Sequence, residues 1–265
     1  MATFPTDRSK DVLALVERAG AALMGFWPGG PAGKSGRVLK IHTKPDGSFV
    51  TEADFASNDI LVPGLKQLFA DHGVLSEEGP PDSELKNRSH VWILDPLDGT
   101  KSFIDGNDDF SVLVALCVHE VPEFSVMHVP ARELTATAQR GAGAWMNGQR
   151  LQVSSSTQFR PRSIYLRHMD VPPAPYLYDR WLDSGLAFLT LCTGDFDGFI
   201  LKIRTHREWD LAAPTLMVEE SGGKVTDEHG APIRFAENSM TYRYLVASNG
   251  VLHDELLALI PDQSA

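Results

Sequence analysis

Two apolar runs most constrain what this chain can fold into: Val91-Trp92-Ile93-Leu94 and the stretch from Phe110 to Val118. Neither alternates with polar residues as a strand with one wet face does, so each reads as a strand covered on both faces. A sheet that is apolar on both sides must lie between further layers, and the rest of the chain supplies helices for them. Val12, Leu13, Val16, Ala19 and Leu23 recur at three- and four-residue spacings and predict an opening helix over about 9–27. The Gly- and Pro-rich stretch 28–36 ends it as a loop. Thr51-Glu52-Ala53-Asp54 then opens a second helix, with Thr51 and Asp54 as a capping pair. Residues 124–129 and 133–139 read as adjacent strands, with turns at Gly141–Gly143 and Asn147-Gly148. A third helix over 209–220 is stopped by Gly222-Gly223, and Lys224 starts another strand. The segment 160–183, with Pro161, Pro172, Pro173 and Pro175, carries no clear period. The pattern is α/β or α+β, most simply a single domain over 1–265 with two lobes, about 1–150 and 151–265.

A chain of 265 residues buries a large core without disulfides or a structural metal. Its two cysteines, Cys117 and Cys192, form no C-x-x-C pair, which fits a reducing compartment. The net charge of −11 disfavours nucleic acid and anionic lipid as partners. Charges at Asp7, Arg8, Lys10 and Asp11 break any signal-peptide pattern, and no apolar run approaches membrane-helix length. The expected location is the cytoplasm.

Several motifs fail on inspection. Pro28-Gly29-Gly30-Pro31-Ala32-Gly33-Lys34-Ser35 nearly spells a nucleotide P-loop, but Pro28 stands where the first glycine belongs and a helix precedes the loop. Gly141-Ala142-Gly143 lacks the third glycine of a dinucleotide fingerprint. The histidines form no H-E-x-x-H, and no G-x-S-x-G elbow occurs, which weighs against zinc and nucleophilic-serine chemistry.

The informative run is Leu94-Asp95-Pro96-Leu97-Asp98-Gly99-Thr100-Lys101. Asp-Pro and Asp-Gly are turn formers, and taken alone the run reads as a strand followed by a tight turn. Here the acids stand at the end of a buried strand, where α/β folds place ligands, and a proline-braced turn would aim both at one point. Gly99 and Thr100 would offer backbone N–H groups to phosphate oxygens. Upstream, Ser76-Glu77-Glu78-Gly79 follows the apolar pair Val74-Leu75, and its glutamates would ordinarily be solvated; downstream, Asp210 lies in the first turn of a helix, where the dipole favours an acid. Were Glu77, Asp95, Asp98 and Asp210 to converge, like charges 4 Å apart would repel by about 4 kcal/mol at an effective dielectric of 20. Divalent cations offset such repulsion. All-oxygen ligands select Mg²⁺, with Mn²⁺ as a substitute, and a two-metal site suits phosphoryl transfer to water.

Four blocks in order carry a resemblance: Val50-Thr51-Glu52-Ala53-Asp54, Leu75-Ser76-Glu77-Glu78, Trp92 to Phe103, and Trp209-Asp210-Leu211-Ala212-Ala213 through Gly223. Over nearly its whole length the chain resembles the inositol monophosphatase superfamily of Mg²⁺-dependent, lithium-sensitive phosphatases. That superfamily also holds bisphosphate nucleotidases, histidinol-phosphatases and fructose bisphosphatases. The resemblance implies a five-layer α-β-α-β-α sandwich and a hydrolase acting on a small phosphorylated metabolite, with a homodimer in view. It implies one Mg²⁺ on Glu77, Asp95 and the Leu97 carbonyl, a second on Asp95, Asp98 and Asp210, and a weaker third on Glu77. Thr100, backed by Asp54, would orient the attacking water; Asp98, Gly99 and Thr100 would hold the phosphate; Glu78 and Lys101 would be accessory. No covalent enzyme intermediate is implied. Two departures concern the leaving group: Ile203 stands where inositol-specific members carry an acid, and Lys101 where they commonly have Thr. The region 154–200 is shorter than is usual. A bisphosphate nucleotidase, a histidinol-phosphatase and a catalytically silent metal-binding regulator stand as alternatives.

Overall fold

A computed structural model describes residues 6–34, 36, 38–80, 85–169, 172–204, 206–235 and 240–261. Ser35, the end of the P-loop-like segment, lies outside them. Helix α1 (Thr6–Met24) is followed by the single-turn α2 (Pro31–Lys34) within the expected loop, and by the hairpin β1 (Ile41–Thr43) and β2 (Phe49–Thr51). Helix α3 (Glu52–Leu68) starts as its sequence predicts. Thr51 Oγ1 accepts from the Ala53 N–H at 3.1 Å, and Asp54 Oδ2 accepts from the Thr51 N–H at 2.7 Å.

A seven-stranded sheet follows: β3 (Gly73–Ser76), β4 (His90–Asp98), β5 (Ser111–Val118), β6 (Val121–Val129), β7 (Leu134–Gln139), β8 (Gly143–Met146) and β9 (Gln149–Arg150). Its strands lie in sequence order, antiparallel except where β3 runs parallel to β4. Helix α4 (Thr100–Ile104) intervenes directly after β4. A second sheet has the order β10 (Ile164–Arg167), β11 (Gly198–Lys202), β13 (Tyr244–Ser248), β12 (Lys224–Asp227). Helix α5 (Ser184–Cys192) links its first two strands, α6 (Glu208–Glu220) precedes β12, and α7 (His253–Leu257) closes the described chain. Among its described residues the Pro-rich 160–183 segment thus holds one short strand, at the edge of this sheet.

Side-chain alternation assigns the layers. Trp92, Leu94, Val112, Val114 and Val126 point to one face of the large sheet and pack on Val12, Val16, Leu23, Leu61 and Leu65 of α1 and α3. Ile93, Leu113, Ala115 and Met127 point to the other, toward Phe188, Leu191, Leu211, Leu216 and Met217 of α5 and α6. The same middle layer meets Phe199, Leu201, Leu245 and Ala247 of the second sheet. Ile200, Tyr244 and Val246 face outward onto Leu256 of α7. The order is helix, sheet, helix, sheet, helix, an α+β fold in five layers.

Candidate active site

The acids converge by a device different from the expected turn. β4 continues through Asp98, and its register with β5 shifts: Asp95 faces Leu113 and Asp98 faces Ser111. Three residues on β4 therefore span two on β5, a one-residue bulge. In a regular strand positions 95 and 98 would point to opposite faces; the extra residue returns both to the side of α6. Pro96 suits the bulge because it has no N–H to leave unpaired. The Leu97 N–H donates to Asp95 Oδ1 at 2.9 Å, and Ser57 Oγ on α3 donates to the Pro96 carbonyl at 2.8 Å.

Asp210 arrives from the first turn of α6, where its Oδ2 accepts from the Arg207 N–H at 2.6 Å. It caps the helix and joins the cluster as well. Asp95, Asp98 and Asp210 each offer a carboxylate oxygen, all within 4.8 Å of one another. Asp98 is anchored by Ser184 Oγ (3.0 Å), the Gly185 N–H (2.9 Å) and Ser111 Oγ (3.2 Å). Burial, then the neighbouring acids, raise the proton affinity of Asp95 and Asp98 well above the carboxylate range; for Asp210 burial and Glu77 raise the pKa to about 7. Hard oxygen donors crowded together and short of positive charge are the chemistry that fits Mg²⁺.

Glu77 lines the same cleft but stands outside the mutually close oxygens. Lys44, from the β1–β2 hairpin, reaches its Oε1 at 2.7 Å and Glu78 Oε1 at 2.6 Å. Burial opposes the Lys44 charge, yet the two glutamates outweigh it and raise its pKa. Thr100 opens α4 after Gly99, whose φ of +86° only glycine adopts readily; a Cβ there would lie 2.9 Å from the Asp109 carbonyl. Thr100 Oγ1 sits 3.2 Å from Asp54 Oδ1 and 3.1 Å from the Leu97 carbonyl. Burial raises the Asp54 pKa to about 7 despite its bonds from Thr51. Lys101 is exposed at the rim and pairs with Asp105 at 2.8 Å. Ile203 packs with the apolar cluster between the sheets.

The cleft, about 560 Å³, is also lined by residues that sequence reasoning missed: Lys44, Arg167, Trp181, Asp183, Ser184, His206 and Arg207. Asp183-Ser184 before the apolar run of α5 is a readable helix start. Lys44 next to Pro45-Asp46-Gly47 signals a hairpin, but nothing local names its partners 33 and 34 residues on.

The chain belongs to the inositol monophosphatase family of phosphatases, whose model matches residues 11–265. It is 29% identical to a histidinol-phosphatase of Chlorobaculum parvum, covering 94% of both chains. It is 31% identical to the 3′(2′),5′-bisphosphate nucleotidase CysQ of Escherichia coli O157:H7, covering 84% of this chain and 92% of that one. The solved structure of a Thermotoga maritima IMPase superposes with a TM-score of 0.80 at 27% identity, over 96% of each chain.

Proposed function

We propose that this chain is a Mg²⁺-dependent phosphomonoesterase that hydrolyses a small soluble phosphate ester by direct attack of water. The observation that carries this reading is the meeting of Asp95, Asp98 and Asp210 beside the Thr100–Asp54 pair. Glu77, Asp95 and the Leu97 carbonyl would hold one Mg²⁺; Asp95, Asp98 and Asp210 a second; Glu77 a weaker third. Bound there, the cations would offset the acids' charge and make water acidic enough to attack phosphorus. Thr100 has a single hydroxyl proton to give. Donated to Asp54, it leaves both Oγ1 lone pairs free to receive a water O–H, which turns the water's own lone pair toward the phosphate. Asp54, fixed through its other oxygen by Thr51, holds that orientation. Gly99 and Thr100 N–H groups would steady the phosphate oxygens at the start of α4.

Inositol monophosphate-like esters, 3′(2′),5′-bisphosphorylated nucleosides and histidinol phosphate are the candidate substrates, the last two being named for the relatives above. Every ligand acid of the proposed sites is present, which favours an enzyme over a silent regulator. Inhibition by lithium, replacement of Mg²⁺ by Mn²⁺, a homodimer and a cytoplasmic location belong to the same proposal. Among the described residues no helix is long and apolar enough to cross a membrane. The test is phosphate release from these esters with Mg²⁺ and with EDTA. Release that persists in EDTA would overturn the metal assignment.

A further inference from the structure

Beyond Asp183 the cleft wall changes character. Arg167, at the end of β10, lines it with Trp181 and His206. The Arg167 side chain is only 8% exposed, yet among the described residues it makes one hydrogen bond, from Nη1 to the Leu182 carbonyl at 2.9 Å. A guanidinium carries five N–H donors. Nη2 lies 3.9 Å from Asp183 Oδ2, beyond hydrogen-bond reach, and Nε is buried without a partner among the described residues. Asp183 is already engaged, capping α5 through the Ser184 N–H at 2.7 Å. The guanidinium carbon lies 4.4 Å from the centre of the Trp181 ring, within cation–π reach, while Trp181 itself remains 59% exposed. His206, 6% exposed, also has an Nδ1 without a partner among the described residues. A cation taken this far out of water with its donors unspent calls for an acceptor, and a planar fork suits two oxygens of one anionic group.

We propose that Arg167 receives a second anionic group, carried by the alcohol half of the substrate, so that the ester hydrolysed here bears negative charge at both ends. This rests on the phosphomonoesterase reading of the same cleft. A neutral polyol phosphate leaves the Arg167 donors unspent, and an ammonium-bearing alcohol meets like charge. Among the candidate esters the order of kcat/KM is then adenosine 3′,5′-bisphosphate, inositol 1-phosphate, histidinol phosphate. Arg167 is a specificity-determining residue.

The test compares kcat/KM for adenosine 3′,5′-bisphosphate and inositol 1-phosphate, with Mg²⁺, in wild type, Arg167→Met and Arg167→Lys. Methionine keeps an apolar stem against Trp181, and lysine keeps the charge without the fork. The preference for the bisphosphate is about tenfold or more in wild type, falls about tenfold in Arg167→Met, and is partly kept in Arg167→Lys. An equal ratio in wild type and Arg167→Met, even with both rates lowered, would make the role structural and overturn the inference. Calorimetry with adenosine 5′-monophosphate and adenosine reads the same seat without turnover. The nucleotide binds more tightly to wild type, and the gap narrows in Arg167→Met; no gap in wild type also overturns the inference. A wild type that releases no phosphate from any ester yet keeps this gap would leave the anion seat standing and sink the hydrolase reading.

Discussion

Asp98 takes three hydrogen bonds, from Ser184, Gly185 and Ser111, and still has raised proton affinity because burial and then Asp183 and Asp210 outweigh them. Its shape is therefore held by donors, while its charge stands among other acids. Asp98→Asn keeps the shape, since the serine hydroxyls can turn and accept, and removes the charge. We expect kcat/KM to fall by about 100-fold or more with the melting temperature little changed; wild-type turnover in this variant would remove Asp98 from the site. Thr100→Ala should lower kcat by about 100-fold with a small change in KM, and Thr100→Ser should restore most of it, because the hydroxyl orients water rather than binding substrate. A loss carried by KM alone would reassign Thr100 to binding.

At the scale of elements, the site is made by where β4, α5 and α6 end and begin. The β4 bulge brings Asp95 and Asp98 to one side, α6 delivers Asp210 from its first turn, and the start of α5 seats Asp98. A Cβ at Gly185 would lie 2.4 Å from Ser111 Oγ and 2.8 Å from Asp98 Oδ2. Gly185→Ala should accordingly displace Asp98 and raise the Mg²⁺ concentration needed for half-maximal rate, by about tenfold; an unchanged Mg²⁺ dependence would show that α5 does not position the acid. Sequence reasoning found β4, the α3 cap and the α6 start because each is written within a few neighbouring residues. It took 95–98 for a turn, since Asp-Pro and Asp-Gly favour turns and the pairing with β5 that imposes a bulge is not local. Lys44 and Arg167 escaped for the same reason: each is defined by partners or a cleft far along the chain, and β10 is too short to show a period.

For the whole molecule, one apolar cluster joins the large sheet, α5, α6 and the second sheet. Such shared burial predicts that both parts of the chain unfold together, with tryptophan fluorescence and far-UV circular dichroism giving coincident urea transitions; two separated transitions would mark independent lobes. Above neutral pH the buried acids set the pH dependence. Asp54 and Asp210 have pKa values raised to about 7 against 3.8 for the ordinary group, and Asp95 and Asp98 are raised as well. From pH 8 to about 7 these acids bind protons in the metal-free fold that the unfolded chain releases, so stability rises as pH falls. Below about 6.5 the buried histidines, His206 lowered to about 3 and His253 to about 4, favour the unfolded chain and oppose that rise. In EDTA the melting temperature should be higher at pH 7 than at pH 8, and saturating Mg²⁺ should flatten that difference by supplying the missing positive charge. A melting temperature that rises from pH 7 to pH 8 in EDTA would contradict the packing of these acids. The most direct test of the site is inorganic phosphate release from adenosine 3′,5′-bisphosphate, inositol 1-phosphate and histidinol phosphate as Mg²⁺ is titrated, wild type beside Asp98→Asn. Mg²⁺-dependent release by wild type and its loss in Asp98→Asn is the predicted result. Equal release by the two proteins, or none from any ester, would contradict it.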